Sequence, residues 1–280
     1  MAKLLLAKEV NEKLNADLKA QVAELAGKGI TPTLAVIRLG ANDDDISYER
    51  GIKKRSEALG VSLRSFVFEE SISEDELLMQ IDALNKDELV HGILIFKPLP
   101  KGFDEEKICN AIAPSKDVDS VTAASAIGIY TGKKSGFAPC TAESVMQILK
   151  AYELPLAGKK AVVIGRSQVI GKPVSLMLLS ANATVTICHS KSEDVQSICK
   201  GADIIIAAAG VPKMINADYV SAGQCVIDVG IHFGDDGKMC GDVDFDAVEP
   251  IVAAITPVPG GVGGVTTTIL LSHVIEAASK

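Results

Sequence analysis

The chain has 280 residues, of which 48% are hydrophobic and 23% are charged, so it is long enough for one large or two medium domains and too apolar to be disordered. Its formal net charge of −8 argues against a general surface for nucleic acid or anionic membranes, because both need a basic footprint. The N-terminal MAKLLLAKEVNEKL has only a short apolar run between charges, too short for a signal peptide or a membrane span.

Segments that favour strands and helices alternate along the first half of the chain. Strands are predicted for TLAVIRL (33–39), SLRSFVFE (62–69) and HGILIF (91–96), which are β-branched, alternating or continuously apolar. Helices are predicted for the stretch through YERGIKKRSEALG, which follows the turn GANDDD, and for SEDELLMQIDALNKD, which begins with a capping sequence.

The same alternation resumes after residue 140. The predicted order is helix (TAESVMQILKAY), strand (AVVIG), helix (KPVSLMLLS) and then three strands (ATVTICH, DIIIAAAG and CVIDVGI). Such alternation predicts a parallel sheet covered on both faces. Residues 113–141, between the halves, are rich in Gly, Ser, Thr and Pro and only weakly periodic. We therefore predict an α/β protein with two domains and a boundary near residue 140, while the last helical stretch is free to pack on either domain.

The six cysteines form no C-x-x-C pair, and no His lies at metal-ligand spacing from them. Several lie inside apolar runs, where buried thiols are ordinary. We therefore expect reduced cysteines, a cytoplasmic protein and no metal site.

The turn GRSQVIGKP (165–173) lies between a predicted strand and a predicted helix. The usual dinucleotide motif is G-x-G-x-x-G. Here Ser167 takes the place of the second glycine, and Gly171 comes later in the sequence than the third glycine of the motif. Taken alone, the turn is either a phosphate cradle or a plain crossover. Its position after the first strand of a βαβ unit, with Pro173 in the first helical turn, favours a cofactor loop.

The end of the second strand of this unit indicates which cofactor binds. NAD sites usually have Asp or Glu there to hold the ribose hydroxyls, but this chain has CHSK, from His189 to Lys191. Arg166, Ser190 and Lys191 are available for a 2′-phosphate, so NADP is favoured over NAD. The alternative is a solvated strand end with an unrelated basic residue.

Three further stretches have two interpretations each. KDVDS has Asp117 and Asp119 on one side if the chain is extended, which suits a polar ring or a metal, whereas a solvated turn is the default. FKPLPKG (96–102) is either a rigid ligand-binding edge or a surface loop. The glycines of TPVPGGVGGVTTT (256–268) allow close approach of the backbone, which serves either to bind a ligand or to form a contact between domains.

The sequence resembles the methylenetetrahydrofolate dehydrogenase/cyclohydrolase family over essentially its whole length. The resemblance is carried, in chain order, by DVD, VVIGRSQVIGKP, TVTICHSK, DVGI, GDVDF and TPVPGGVGGVT, together with PLP and PCT. It implies two α/β domains with a cleft between them: a folate-binding catalytic domain (1–140), on which the last helix (267–280) packs, and a Rossmann-type NADP-binding domain (141–266). It also implies a homodimer, with oxidation of 5,10-methylenetetrahydrofolate by NADP⁺ and often hydrolysis of the product to 10-formyltetrahydrofolate.

The resemblance also implies roles for substrate-binding residues. Tyr48 would lie against the aminobenzoyl ring of the folate, as an aromatic platform. Asp119 would accept hydrogen bonds from the amino and ring N–H groups of the pterin. Pro257, Gly260 and Gly261 would close the cleft near the substrate.

The cofactor roles implied by the resemblance fall on five residues. Gly165, Arg166 and Ser167 would line the phosphates. Ser190 would meet the 2′-phosphate, and Ile231 would touch the nicotinamide end.

The sequence departs from the family pattern where the hydrolytic step is concerned. The family has a lysine four residues after the tyrosine and a glutamine before LPLP, and here these positions are Ile52 and Phe96. We therefore expect weak or absent cyclohydrolase activity, unless Lys97 or an inward-turned Lys53 supplies the missing amine. The family usually has glycine after the site aspartate, where this chain has Ser120.

Two other classes of protein remain open from the sequence. One is a shikimate-type NADP-dependent dehydrogenase, although SYERGIKKR does not clearly supply the Lys and Asp pair that such an enzyme needs. The other is a non-catalytic dinucleotide-binding protein.

Overall fold

The computed structural model describes residues 1–133, 135–234 and 237–280. These residues divide into two units. We call Met1–Lys13 with Thr141–Thr266 the six-stranded unit, and Leu14–Cys140 with Thr267–Lys280 the three-stranded unit, after the main sheet of each.

Strands and helices alternate along most of the described chain. The strands are β1 (Lys3–Leu4), β2 (Thr33–Leu39), β3 (Ser62–Phe68), β4 (Gly92–Ile95), β5 (Lys160–Ile164), β6 (Thr184–Cys188), β7 (Ile204–Ala207), β8 (Cys225–Asp228), β9 (His232–Phe233), β10 (Met239–Cys240) and β11 (Ala254–Ile255). The α-helices are α1 (Ala7–Gly27), α2 (Asp43–Leu59), α3 (Glu74–Lys86), α4 (Glu105–Asn110), α5 (Ala123–Thr131), α6 (Cys140–Ala151), α7 (Gly171–Ser180), α8 (Val195–Lys200), α9 (Phe245–Val248) and α10 (Thr266–Ala278). Short 3-10 helices cover Ala217–Tyr219 and Val262–Gly264.

The sheet of the three-stranded unit has the order β3-β2-β4, and both strand pairs are parallel. β2 is buried along almost its whole length, as expected for the central strand of a parallel sheet. The side chain of Asn42 caps α2 by accepting hydrogen bonds from the N–H groups of Asp44 and Asp45, and Gly60 ends the helix with a φ of 78°. These local signals determine where the helix after β2 begins and ends.

An ion pair ties α2 to β2. The Nε atom of Arg38 lies 2.9 Å from Oε2 of Glu49, and both side chains are largely buried. Arg38 also donates a hydrogen bond from Nη1 to the carbonyl oxygen of Gly40. Because Glu49 directly follows Tyr48, this pair holds the part of α2 that carries the predicted site tyrosine.

The main sheet of the six-stranded unit has the order β1-β11-β8-β7-β5-β6, with parallel pairing throughout. The chain runs from β5 to its neighbour β6 and then crosses to β7 on the other side of β5. Ligands of open parallel sheets bind outside the carboxyl ends of the strands at such a change of direction. This sheet confirms the predicted α/β class and the Rossmann-type parallel sheet of the C-terminal half.

Residues 1–13 group with the six-stranded unit, which differs from the predicted N-terminal domain of residues 1–140. The physical reason is that β1 adds an edge strand beside β11: Lys3 N–H donates to the carbonyl of Ala253 and Leu5 N–H donates to that of Ile255. Local apolar pattern cannot predict a strand partner about 250 residues away.

From Thr267 onward, α10 groups with the three-stranded unit. Nδ1 of His273 lies 2.8 Å from the carbonyl oxygen of Val118. A Cβ atom at Gly92 would lie 2.7 Å from a methyl of Val118 and 3.0 Å from one of Val274, so this glycine lets α10 approach β4 closely. The last helix therefore helps to position the segment that leads to Asp119.

Candidate functional site

Tyr48 and Ile52 lie one turn apart on the same face of α2. The Tyr48 side chain is 42% exposed, whereas Ile52 is fully buried. Lys53 and Lys54 are both exposed. The helix therefore turns Ile52 inward, and the alternative in which a shifted register brings Lys53 inward is not observed.

Phe96 packs its ring against that of Tyr48. The two ring centroids are 5.5 Å apart and the ring planes are tilted by 35°. Phe96 follows β4 and is only 7% exposed. Both residues that replace the polar pair of the family pattern, Ile52 and Phe96, are thus buried and apolar in the immediate neighbourhood of Tyr48.

The two carboxylates of DVD have different environments. Asp117 is fully buried, and its oxygens accept hydrogen bonds from the N–H groups of Val121 and Thr122 and from the hydroxyls of Thr122 and Ser125. The interpretation of an extended pair on one side is wrong, because the chain turns here and Ser120 has a φ of 58°. Asp117 organises this turn, which leaves Asp119 as the carboxylate available to a ligand.

Asp119 is half-buried beside Cys140, whose N–H donates to Oδ1 at 3.4 Å. Burial raises the pKa of the Asp119 carboxyl, while hydrogen bonds from Cys140 and the charge of Lys97 act in the opposite direction. Burial, followed by the charges of Asp119 and Cys140, raises the pKa of Tyr48, and a hydrogen bond with Thr267 opposes this rise. Tyr48, Asp119 and Cys140 therefore share one electrostatic environment.

We call Tyr48, Phe96, Asp119 and Cys140 the Tyr48 cluster. Cys140 was not predicted as a site residue, although it lies in the stretch PCT that contributes to the family resemblance. Its Sγ donates to the carbonyl oxygen of Val118 at 3.4 Å and lies 3.9 Å from His273 Nδ1. The thiol thus joins the segment before Asp119 to the start of α6.

Lys97 belongs to the surroundings of this cluster. Its Nζ atom lies 3.8 Å from Oε1 of Glu105, and its side chain is one-third exposed. Its positive charge lowers the pKa of Asp119. Lys97 is therefore the cation whose field reaches the candidate substrate carboxylate.

The turn after β5 needs two glycines for close packing. Gly165 has a φ of 127°, and a Cβ atom there would lie 2.0 Å from the carbonyl oxygen of Ala208. A Cβ atom at Gly171 would lie 2.3 Å from the carbonyl oxygen of Gly165. Oγ of Ser167 accepts a hydrogen bond from Ile170 N–H at 3.2 Å, so the serine stabilises the turn where the usual motif has glycine.

Arg166 and Ser190 lie at the ends of neighbouring strands. Ile164 of β5 pairs with Cys188 of β6, and Gly165 N–H donates to the carbonyl of Cys188 at 2.8 Å. Arg166, Ser167, Ser190 and Lys191 are all exposed. Two hydroxyls and two cations thus flank the carboxyl ends of β5 and β6, and the first three residues after β6, His189 to Lys191, include no carboxylate.

The glycine-rich stretch after β11 packs against the start of α1. The carbonyl of Gly260 accepts a hydrogen bond from Ala7 N–H at 2.8 Å. A Cβ atom at Gly261 would lie 2.5 Å from the carbonyl oxygen of Pro257. Gly261 is therefore required by a close contact within the chain and Gly260 by its φ of 103°, while Gly260 remains exposed and Pro257 half-buried.

Ile231 is 54% exposed, in the segment after β8. A Cβ atom at Gly263 would lie 3.1 Å from its Cδ1 atom, so the glycine-rich stretch also approaches Ile231. This places Ile231 beside the residues that follow β11 within the six-stranded unit.

A network of two carboxylates, which the sequence pattern does not reveal, lies on either side of Ile231. Oδ1 of Asp228 accepts hydrogen bonds from Gly230 and Asp242 N–H, and Oδ2 accepts one from Val243 N–H. Burial raises the pKa of Asp228 to about 6, and the charge of Asp242 adds to this rise. Asp242 in turn pairs with Nε2 of His232 at 2.7 Å. The motifs DVGI and GDVDF are thus joined to each other, a relationship that each motif alone does not reveal.

The described residues contain no group of three or more His, Cys, Asp or Glu side chains placed to hold a metal ion. Within these same ranges, the helices are too short or too polar to cross a membrane. The six cysteines are free, and burial raises the pKa of Cys199 and Cys225 to about 12, which keeps these two as thiols.

Two family models match the chain. One, described as "Tetrahydrofolate dehydrogenase/cyclohydrolase, catalytic domain", matches residues 5–119. The other, described as "Tetrahydrofolate dehydrogenase/cyclohydrolase, NAD(P)-binding domain", matches residues 139–280. Together the two matches cover well over half of the chain.

Full-length relatives agree with these matches. The "Bifunctional protein FolD" of Carboxydothermus hydrogenoformans is 49% identical over 99% of this chain and 97% of its own length. The structure of the bifunctional FolD enzyme of Campylobacter jejuni has a TM-score of 0.97 at 41% identity and covers 100% of this chain and 99% of that one. The structure of FolD of Trypanosoma brucei, described as complexed with NADP cofactor and inhibitor, has a TM-score of 0.92 at 31% identity. The match covers 99% of this chain and 97% of that one.

A shikimate 5-dehydrogenase from Thermus thermophilus has a TM-score of 0.51 at 14% identity and covers 88% of this chain and 97% of its own. At this identity the likeness shows a shared fold and carries no information about the reaction.

Proposed function

The chain belongs to the tetrahydrofolate dehydrogenase/cyclohydrolase family, and on this basis we propose that it oxidises 5,10-methylenetetrahydrofolate to 5,10-methenyltetrahydrofolate with NADP⁺. The observation that carries the proposal is the Tyr48 cluster, in which an exposed aromatic face and a half-buried carboxylate share one environment. The same chain has, after β5, a turn that admits no side chain at Gly165. A shikimate-type reaction is not favoured, because that likeness is one of fold alone.

Tyr48 and Asp119 act on the folate in this proposal. The Tyr48 ring stacks on the aminobenzoyl ring, and Asp119 accepts hydrogen bonds from the amino and ring N–H groups of the pterin. A carboxylate is the strong acceptor for such paired donors, and the partial burial of Asp119 strengthens these bonds. These two contacts orient the methylene carbon without any covalent participation of the protein.

The residues of the six-stranded unit fit NADP. Gly165 lets backbone approach a pyrophosphate at the change of strand direction, where such ligands bind, and Arg166 and Ser190 are exposed where a 2′-phosphate needs partners. When bound, NADP⁺ supplies a hydride acceptor. Ile231 offers an apolar contact for the nicotinamide end.

Little proton transfer is required of the protein in this oxidation. A C–H bond of the methylene carbon breaks with its electron pair leaving as hydride, while the lone pair of an adjacent folate nitrogen forms the new C=N bond. The side chains contribute alignment and tolerance of the cation that forms.

The hydrolytic second step is weak or absent in this proposal, although the family is typically bifunctional. Addition of water to the methenyl carbon needs a positioned proton-transfer group, and the positions that supply it by resemblance are the buried side chains of Ile52 and Phe96. Lys97 is the remaining candidate amine, and its nearest described acid is Glu105.

The protein acts as a homodimer in this proposal, with no nucleic-acid or membrane partner. In support, β6 is an edge strand of the main sheet, and its Ile187 is 42% exposed. An open edge with exposed apolar residues is a ready template for pairing with a second copy. Size-exclusion chromatography with light scattering would give a mass of two chains, and a mass of one chain would contradict this part.

A cytoplasmic location also forms part of the proposal. It is supported by the six free cysteines, most of them buried, because reduced thiols persist in reducing compartments.

The dehydrogenase proposal is tested by mixing the purified protein with methylenetetrahydrofolate and either NADP⁺ or NAD⁺. Formation of the methenyl chromophore together with reduced cofactor is the expected result, with NADP⁺ preferred. The absence of both signals with both cofactors would contradict the proposal and leave a non-catalytic binding protein as the alternative.

A further inference from the structure

The Tyr48 and Phe96 rings are in contact, yet they differ sharply in exposure. Their centroids are 5.5 Å apart at a tilt of 35°, within the range that favours aromatic pairs. Phe96 is 7% exposed and Tyr48 is 42% exposed. One ring is therefore fixed inside the protein, while its neighbour keeps a surface open to a ligand.

The backbone of Phe96 is held by the sheet. Its N–H donates to the carbonyl of Ile37 at 3.0 Å, which extends the pairing of β4 with β2 by one residue. The preceding residue, Ile95, is 3% exposed and belongs to the hydrophobic core of this unit. The ring of Phe96 is thus carried by a residue whose backbone is hydrogen-bonded to the central strand of the sheet.

The position of the Tyr48 ring is less constrained by its backbone than that of Phe96. It lies in the second turn of α2 and has two rotatable side-chain bonds, so an isolated ring would move between rotamers. Phe96 touches the ring, and Thr267 forms a hydrogen bond with the side chain. A ring that is fixed before a ligand arrives binds more tightly, because less conformational freedom is lost on binding.

We propose that Phe96 is a positioning residue that holds the Tyr48 ring in the orientation needed to stack on the aromatic ring of the folate substrate. This inference rests on the proposed function. It adds to that function a role in substrate binding for Phe96, which stands where the family pattern has a glutamine. Phe96 does not touch the reacting atoms, so its effect on the substrate passes through Tyr48.

The test is a double-mutant cycle on the KM for methylenetetrahydrofolate, with Phe96→Leu, Tyr48→Leu and the double variant. Phe96→Leu is expected to raise this KM roughly three- to ten-fold, the size of an aromatic pair contribution. The kcat and the KM for NADP⁺ should change little. In the Tyr48→Leu background, Phe96→Leu should cause no further change.

Phe66→Leu is the control, because Phe66 is a partly buried phenylalanine of the same unit that packs against the hydrophobic core containing Ile95. It should leave the KM for the folate unchanged. Thermal unfolding of each variant checks its folding, and Phe96→Met replaces Phe96→Leu if the latter does not fold. Phe96→Tyr, which keeps the ring, should retain most of the wild-type affinity.

An unchanged KM in Phe96→Leu would overturn the inference, as would the same fold-change in both backgrounds. An equal rise in the KM for NADP⁺ would also overturn it, because that indicates a general structural effect. Wild-type protein without any turnover contradicts the proposed function itself, whereas wild-type turnover with an unaffected Phe96→Leu contradicts only the role of Phe96.

Discussion

A Cβ atom on Gly165 would lie 2.0 Å from the carbonyl oxygen of Ala208. The two residues follow β5 and β7, neighbouring strands whose carboxyl ends meet at the change of strand direction in the main sheet. No side chain other than hydrogen fits between these backbones, and the φ of 127° at Gly165 is itself unfavourable for any other residue. The proposed cofactor turn is therefore tied to the packing of the sheet.

Gly165→Ala is expected to lower the free energy of unfolding by roughly 2 to 4 kcal/mol, because it combines backbone strain with a collision. Gly158→Ala is the control: Gly158 has a φ of 75° with nothing within 4 Å of a Cβ atom, so it should cost only about 1 kcal/mol. Urea unfolding measures both. Equal losses in the free energy of unfolding for the two variants would mean that the contact with Ala208 does not add to the cost of the substitution.

Arg166→Ala should weaken NADP⁺ binding by about 1.5 to 3 kcal/mol and leave NAD⁺ binding nearly unchanged, because a charged hydrogen bond to the 2′-phosphate is lost. Isothermal titration with both cofactors measures the difference. Lys200→Ala, which removes an exposed cation at the end of α8, should affect neither. Equal weakening of NADP⁺ and NAD⁺ by Arg166→Ala would reject the role at the 2′-phosphate.

Asp119→Ala should abolish or greatly slow turnover while changing the melting temperature and NADP⁺ binding little. Asp119 accepts its hydrogen bonds from Cys140, the one from the N–H group being long at 3.4 Å, and burial already disfavours its charged form. Asp117→Ala is the contrasting variant, because it removes the acceptor of four hydrogen bonds from a fully buried site and should destabilise the fold by several kcal/mol. A large fall in melting temperature in Asp119→Ala would favour a structural role instead.

Hydrolysis of methenyltetrahydrofolate by the wild-type protein should be close to the uncatalysed rate. The Ile52→Lys, Phe96→Gln double variant should gain hydrolysis, since a positioned proton-transfer group typically contributes about 10² to 10⁴ in rate. The decay of the methenyl chromophore measures this. Wild-type hydrolysis that keeps pace with dehydrogenation would defeat the prediction, and its loss in Lys97→Met would then identify Lys97 as the amine.

Asp228 should make stability depend on pH. Its pKa is about 6 in the folded protein against an ordinary 3.8, so the folded state holds a proton between about pH 4 and 6 that the unfolded chain releases. The contribution of Asp228 to the free energy of unfolding therefore rises as the pH falls through 6. At 1.36 kcal/mol per pKa unit, the full rise is up to about 3 kcal/mol. The gain should be seen between pH 7 and pH 5 in urea unfolding of the wild type relative to Asp228→Asn.

The exposed Asp218 offers the control for this pH effect, since Asp218→Asn should keep the pH dependence of the wild type. Parallel stability curves for the wild type and Asp228→Asn would contradict the raised pKa.

Local sequence pattern was sufficient for the elements that surround the proposed sites. The strands β2, β4 and β5 follow from short β-branched or apolar runs, and α2 follows from its Asn42 cap and its Gly60 stop. The glycines of the turn after β5 were visible for the same reason: propensity, caps and φ preferences are properties of a few neighbouring residues. Of these features, β5 and the turn that follows it also contribute to the family resemblance.

Tertiary structure decided what each chemically similar residue does. Asp117 and Asp119 are two positions apart and equally acidic, yet only the fold surrounds Asp117 with four donors and leaves Asp119 beside Cys140. Likewise, only the fold joins Asp228 to Asp242 and pairs β1 with β11. A local pattern describes a residue's own conformation, whereas burial, hydrogen-bond partners and pKa depend on segments brought together from far along the chain.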